Sequence, residues 1–313
     1  MERITIRRKR VLKTKNLSNI KKNYELILFV LPSVIILLLF HYIPIYGIQI
    51  AFRDYSFAKG ISRSPWVGLR FFKIFFRSYY SGLIIKNTLI LSGLNLLFTF
   101  PFPVILALFL NRLNNQPMKR IVQTATYMPH FISIVAVVGM IRLFLSPSLG
   151  IYGHFMRFIG VVPLNLLAEP RLFRPIYVIS EVWQHMGWNS IIFLAALSAV
   201  DVELYESAQA DGANKFQLLW HVDLPCLMPT VMILLILNVG GLIGLGFDKV
   251  YLMQNNLNTS VSEVISTYIY KIGIQQSQYS FTAAVGLTIN VVNLILLVSA
   301  NKLAKTFGRV SLW

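Results

Sequence analysis

The sequence predicts an all-α membrane protein with six transmembrane helices. Of its 313 residues, 56% are hydrophobic and only 13% are charged, whereas an ordinary soluble domain is about 25% charged. Six stretches of at least 19 residues contain no Asp, Glu, Lys or Arg, and each could cross a hydrocarbon layer of about 30 Å. The net charge of +17 does not indicate a nucleic-acid partner, because long apolar runs separate the cations.

Each of the six predicted spans lies between two charged residues of the sequence. They lie within the windows 26–52, 87–111, 121–141, 182–200, 224–247 and 272–301.

The distribution of cations predicts how the chain is oriented. Six spans place both termini on one side of the membrane, and residues 1–25 carry nine cations against two carboxylates. Because cytoplasmic loops are enriched in Lys and Arg, both termini are expected in the cytoplasm. Residues 1–25 are thus predicted to form a basic cytoplasmic arm, and residues 26–313 a transmembrane domain with a cytoplasmic loop at 201–225. The first outside loop, 49–86, departs from the rule with seven cations.

The loop between the fourth and fifth spans, 201–225, is acidic although it is expected on the inside. Asp201 can cap a short helix, and Gly212 supplies the left-handed turn that ends it. Small residues on that helix would let another protein approach closely, and Pro225 suits the first turn of the next span. The loop holds five of the chain's twelve carboxylates: Asp201, Glu203, Glu206, Asp211 and Asp223.

The spacing within this loop resembles a known motif. Glu206-Ser207-Ala208, then Gly212, then Val222 to Pro225, resembles the EAA loop of binding-protein-dependent ABC importers. Ser207 stands where Ala is commoner and Val222 where Ile is commoner. An ordinary acidic surface loop is the alternative interpretation.

The resemblance extends along nearly the whole chain. Segments beginning at His41, Ser64, Tyr127, Ser180 and Gln278 resemble the carbohydrate-uptake permeases for alginate and pectin-derived oligosaccharides. Those proteins are similar to the larger maltose permease subunit. The resemblance implies a type I ABC importer permease fold in the bacterial cytoplasmic membrane.

The resemblance also implies roles and partners. The loop would be the coupling helix that docks into an ATPase. The partners would be a second homologous permease, two ATPase subunits, an extracytoplasmic solute-binding protein, membrane lipids and an oligosaccharide. ATP and Mg would bind the ATPase, since this chain has no phosphate-binding loop, catalytic residue or metal site of its own. The expected coupling residues are Glu206, Ser207, Ala208, Asp211, Gly212, Leu224 and Pro225.

A sugar path needs polar groups and aromatic faces at membrane depth. The alternative for each candidate is that it only bonds a neighbouring helix. His41, His130 and His185 are better explained as packing residues at helix ends. The candidates for the path are Glu181, Trp183, Gln184, Asn189, Asn238 and Asn290.

Three further alternatives concern function. The cations of loop 49–86 could favour acidic sugars through long-range attraction, or could bind lipid phosphates. A membrane enzyme acting on lipid-linked sugars would also be basic and would cross the membrane several times. A permease for a non-sugar solute could carry the same loop. Competition by an oligosaccharide, rather than by a peptide or an anion, separates the last of these from a sugar importer.

Overall fold

The computed structural model describes residues 23–244, 246–308 and residue 312. The described residues are mainly helical, and no β-strand occurs among them. Most of the predicted basic arm, residues 1–22, lies outside them. The chain divides into two units, Met1–Leu69 and Arg70–Trp313, which are described separately.

The first unit contains one long apolar helix. It begins as α1 (Tyr24–Leu37) and continues through a π-helical turn, Leu38–Tyr42, and a 3-10 segment, Ile43–Phe52. Its side chains are mostly exposed, as expected of a surface that meets lipid or another protein. A four-residue helix, α2 (Gly60–Arg63), follows it. The whole stretch Tyr24–Phe52 is a candidate span and contains the predicted window 26–52.

The second unit is built from the remaining helices. They are α3 (Arg70–Arg77), α4 (Tyr79–Thr99), α5 (Pro101–Arg112), α6 (Gln116–Tyr127), α7 (Ile134–Phe144), α8 (Ile151–Phe158), α9 (Pro170–Ser198), α10 (Val202–Ala210), α11 (Lys215–Leu218), α12 (Leu224–Gly240), α13 (Phe247–Met253), α14 (Thr259–Ser262), α15 (Ile265–Tyr270) and α16 (Tyr279–Gly308).

Helix α9 is the centre of this unit. It packs against α4, α5, α6 and α12, and α12 packs in turn against α16. Phe173 and Tyr177 of α9 lie in one buried cluster, and Phe193 and Leu197 lie in another with Leu227 of α12. Polar residues also face this core, including Gln184, which is 2% exposed. The interior along α9 is therefore both tightly packed and partly polar.

Most predicted windows coincide with apolar helices. One further candidate is broken, because α6 and its 3-10 extension, Gln116–Phe131, meet α7 at 103° and together cover the window 121–141. Four continuous helices are long and apolar enough to span a membrane: Tyr24–Phe52, Tyr79–Arg112, Lys215–Gly240 and Tyr279–Thr306. The chain is therefore a multi-pass helical membrane protein, with four or five apolar spans in the described residues.

Several windows differ from the helices that they predicted. The second window, 87–111, begins later than its span, Tyr79–Arg112, and the sixth window, 272–301, begins earlier than its span, Tyr279–Thr306. The fifth window, 224–247, ends later than its helix, which ends at Gly240 where a run of glycines begins. The fourth window, 182–200, lies mainly in α9, whose 29 residues extend about 43 Å at about 1.5 Å per residue. Helix α9 is not among the apolar spans, because it carries charged and amide side chains along the core.

Candidate coupling surface and substrate cavity

The acidic loop forms the short helix that the sequence predicts. Helix α10 begins after Asp201, whose Oδ1 accepts a hydrogen bond from the Glu203 backbone N at 3.1 Å. Beyond its end, Gly212 has φ of +82°, the left-handed conformation that suits glycine. Both the cap and the terminating turn are confirmed.

A second cap fixes the chain that follows α10. Asn214 Oδ1 accepts from the Gln217 backbone N at 2.9 Å, and Gln217 Oε1 accepts from the Asn214 backbone N at 2.8 Å. This reciprocal capping box opens α11, which runs through a π-helical turn, Leu219–Asp223, into α12. The loop is thus held by local hydrogen bonds at both ends.

The predicted coupling residues lie on and beside this helix. Glu206, Ser207, Asp211 and Gly212 are exposed, and Ala208 is half-buried. A hollow of about 260 Å³ lies beside them, lined by Ala208, Asp211, Gly212, Ala213, Gln217, Leu218, His221 and Val222. Leu224 packs against the buried cluster, whereas Pro225 is exposed in the first turn of α12. Small side chains on a helix, next to a surface cavity, allow a partner protein to pack closely against it.

A polar cavity of about 290 Å³ lies between α4, α9 and the chain after α12. Lys249, only 2% exposed, contacts Glu181 with Nζ 2.8 Å from Oε1. The same ammonium donates to Gln184 Oε1 at 3.1 Å, and His185 Nδ1 lies 3.5 Å from Glu181 Oε2. A charged pair is therefore buried at one wall of the cavity, where Glu181 is the more accessible partner.

Two polar atoms at the cavity have no partner within the described part of the chain. Ser92 Oγ and Asn95 Oδ1 are both buried and unpaired there, and both residues line the cavity. Buried polar atoms are nearly always hydrogen-bonded in folded proteins. A molecule rich in hydroxyl groups could supply both a donor and an acceptor to them.

The structure separates the six candidates for the sugar path. Glu181 lines the polar cavity, and Gln184 holds Lys249. A larger cavity of about 540 Å³ adjoins it through the shared lining residues Thr99 and Asn238, and Asn189 lines this second space. Four of the six candidates are therefore brought together.

Trp183 and Asn290 are not part of this group. Trp183 lies on another face of α9, in an apolar groove of about 600 Å³, and Asn290 is exposed on α16 and lines neither polar cavity. The residues that sequence analysis missed are Ser92, Asn95 and Lys249. His185, interpreted as a packing residue, also lines the polar cavity.

His130 fits the packing role that was predicted for it. Its ring stacks on Trp188, with centroids 4.5 Å apart. Within the described residues, no group of three or more His, Cys, Asp or Glu side chains is placed to hold a metal ion.

Comparison with known proteins agrees with this architecture. The family model described as the binding-protein-dependent transport system inner membrane component matches residues 99–309. The polygalacturonan/rhamnogalacturonan transport system permease protein YteP of Bacillus subtilis (strain 168) is 43% identical over 288 residues, which cover 92% of this chain and 90% of that protein.

Two solved structures are also similar to the chain. One is a bacterial ABC transporter involved in the import of the acidic polysaccharide alginate, and the other is a bacterial alginate ABC transporter in complex with an alginate pentasaccharide-bound periplasmic protein. In both, the matching chain is 38% identical with a TM-score of 0.86, and the match covers 94% of this chain and 99% of the other.

The chain thus belongs to the family of binding-protein-dependent transport system inner membrane components. It is a transport subunit of the type I ABC permease fold, not an enzyme.

Proposed function

We propose that this chain is one of two permease subunits of an ATP-driven oligosaccharide importer in the bacterial cytoplasmic membrane. Helix α9 counts as the remaining membrane crossing, which makes six spans and leaves both termini in the cytoplasm. Its length supports this assignment, and Ser180, Gln184 and Ser190 on it are buried in the core rather than exposed. The proposal rests on α10, a capped and largely exposed helix with the EAA spacing, on which Ser207, Ala208 and Ala210 have small side chains.

In this proposal α10 is the coupling helix. Glu206 makes a polar contact with a basic group of the ATPase, and Ala208 and Gly212 form the packed part of the contact. ATP and Mg bind to the two ATPase subunits, whose closure moves α10 together with the helices that flank it. A second, homologous permease completes the membrane path, and a solute-binding protein delivers the sugar on the outside.

The two adjoining cavities are the proposed sugar path. Their volumes of about 290 and 540 Å³ are comparable with small-molecule sites, which occupy about 300–1,000 Å³. Glu181, Asn189 and Asn238 contribute polar groups to this path, and Gln184 supports it from behind by accepting from Lys249. Ser92 and Asn95 add the unpaired atoms that sugar hydroxyls would satisfy.

Uronic-acid-containing oligosaccharides are the proposed substrate class. The similar permease YteP is named for polygalacturonan and rhamnogalacturonan, and the similar structures for alginate. In this chain, Lys249 supplies a positive charge at the cavity and offsets Glu181. Without it, the Glu181 carboxylate would repel an acidic sugar at short range.

The buried pair leads to a first prediction. Lys249→Gln should lower uptake of an acidic oligosaccharide at least about tenfold per chain in the membrane, because the uncompensated Glu181 carboxylate repels the sugar. The broken pair should also lower the level of folded chain, at a cost of about 3–5 kcal/mol. Uptake of labelled oligosaccharide, normalised to the amount of chain in the membrane, measures the effect. The matched control is Lys271→Gln outside the cavity, whose ammonium is more exposed and lies 2.6 Å from the Glu263 carboxylate.

A double variant separates folding from transport. Glu181→Gln with Lys249→Met removes both charges, so the level of chain in the membrane should recover. Uptake of an acidic oligosaccharide should recover as well, since no carboxylate remains there to repel the sugar. Uptake that stays low although the level recovers would contradict the offsetting role of Lys249.

The proposed function is tested by affinity purification of the tagged chain from its native membrane in mild detergent. Mass spectrometry should find a second permease and an ATPase. ATP hydrolysis by the complex should rise when an oligosaccharide-loaded binding protein is added. A chain that purifies alone, without ATPase activity, would favour the membrane-enzyme alternative. Uptake inhibited by a peptide or an inorganic anion, but not by an oligosaccharide, would favour a non-sugar permease.

A further inference from the structure

Asp223 is a completely buried carboxylate at the end of the acidic loop, with 0% of its surface exposed. Its Oδ1 accepts from the Tyr205 hydroxyl at 2.7 Å and from Asn111 Nδ2 at 3.1 Å. Its Oδ2 accepts from Arg112 Nε at 2.5 Å. One side chain at the start of α12 is thus bonded to both α10 and the end of α5.

Arg112 contacts both Asp223 and Tyr205. A second guanidinium nitrogen forms an ion pair with Asp223, and the guanidinium lies over the Tyr205 ring at 4.9 Å from its centroid. Burial, together with the hydrogen bond to Asp223, raises the pKa of Tyr205 to about 12. The phenol therefore keeps its proton at neutral pH and remains a donor to the carboxylate.

These contacts connect α10 to the transport path. The Tyr205 hydroxyl bonds α10 to the neighbouring helical segment by donating to Asp223. The two elements that share Asp223 with it both line the larger cavity, α5 through Pro103 and α12 through Leu234 and Asn238. Hydrogen bonds to a buried charge are stronger than neutral ones and costly to break, so the three elements are joined stiffly.

We infer that Asp223, with Tyr205 and Arg112, is the positioning group that carries movement of α10 to α5 and α12, and so to the cavity that they line. This inference rests on the proposed function. It assigns transmission to the carboxylate that stands between Val222 and Leu224 in the loop.

The test measures the ratio of sugar transported to ATP hydrolysed, in proteoliposomes that contain the whole transporter and the loaded binding protein. Tyr205→Phe removes the hydroxyl and keeps the ring, so it should lower this ratio about tenfold, the size expected for one hydrogen bond to a charged group. The matched control is Tyr152→Phe on α8, where no hydrogen bond of the hydroxyl occurs within the described residues, and the ratio should not change.

A second variant distinguishes an effect on coupling from a loss of folding. Arg112→Lys keeps the positive charge but removes the Nε hydrogen bond and the planar contact with Tyr205, and it should also lower the ratio. If either variant reduces uptake and ATP hydrolysis in proportion to the amount of assembled complex, the group only holds the fold and the inference is wrong. If the wild-type complex shows no sugar-stimulated ATP hydrolysis, the proposed function itself fails.

Discussion

Gly187 lies where α9 crosses α6, and it is buried. A Cβ atom built on it would collide with the backbone carbonyl of Thr126. The obstacle is main chain, and the Thr126 hydroxyl is itself bonded to the Val122 carbonyl oxygen at 2.8 Å. Neither helix can make room by rotating a side chain, so the close approach depends on a residue without a side chain.

At this scale we predict that Gly187→Ala destabilises the folded chain by about 1–3 kcal/mol, the usual cost of forcing extra volume into a packed interface. Size-exclusion chromatography after heating in detergent measures the loss of folded protein. Gly139→Ala in α7 is the matched control, since no atom lies within 4 Å of its added Cβ. Equal melting temperatures for the two variants would contradict the packing argument.

The polar contacts show what one sequence can reveal about single residues. Asn238 was predicted because it is a polar residue within an apolar window, and Glu181 because it directly precedes one. Lys249 was not predicted, because its role depends on a partner from another helix. Trp183 and Asn290 were equally plausible by composition, but the rotation of their helices places them away from the cavities.

At the scale of elements, α10 was the most predictable part of the site. Its cap, its length and its terminating turn depend on neighbouring residues, so local chemistry determines them. The attachment of α10 to the rest of the chain was not predictable. Asp223 stood in the sequence as one of five loop carboxylates, and its partners Asn111 and Arg112 come from a distant helix end.

The turn after α10 yields a prediction for the element. Gly212→Arg should abolish uptake while leaving membrane insertion intact, because a long cation would stand on the proposed docking surface. Part of the effect would be backbone strain, since a left-handed conformation costs a residue with a side chain about 1–2 kcal/mol. Uptake and membrane level are measured in the same cells.

Gly160→Arg is the control that measures the effect of backbone strain alone. Gly160 has φ of +77° and, like Gly212, no atom within 4 Å of an added Cβ, but it lies in the loop between α8 and α9, away from α10. The Gly160→Arg variant should retain uptake. Equal loss of uptake in both variants would mean that strain, and not docking, explains the effect.

At the scale of the whole molecule, hydropathy predicted an all-helical, multi-pass chain and the positions of most spans. It gave less reliable ends, because helices stop where hydrogen bonding and glycine allow, as at Gly240, and not where charges begin. It also could not reveal the bend between α6 and α7, which places two short helices at 103° within one apolar window. The orientation of the termini remains a prediction from charge.

The central claim is that α10 docks on an ATPase subunit, and cross-linking tests it most directly. Cys226, an exposed cysteine near the loop, is first replaced by Ala. Ala208→Cys is then labelled with a thiol-reactive benzophenone in the assembled transporter and irradiated, with Asn256→Cys in the loop between α13 and α14 as the control. We expect an adduct with the ATPase subunit from position 208 and none from position 256. Absence of an ATPase adduct from position 208, in a complex that still hydrolyses ATP, would contradict it.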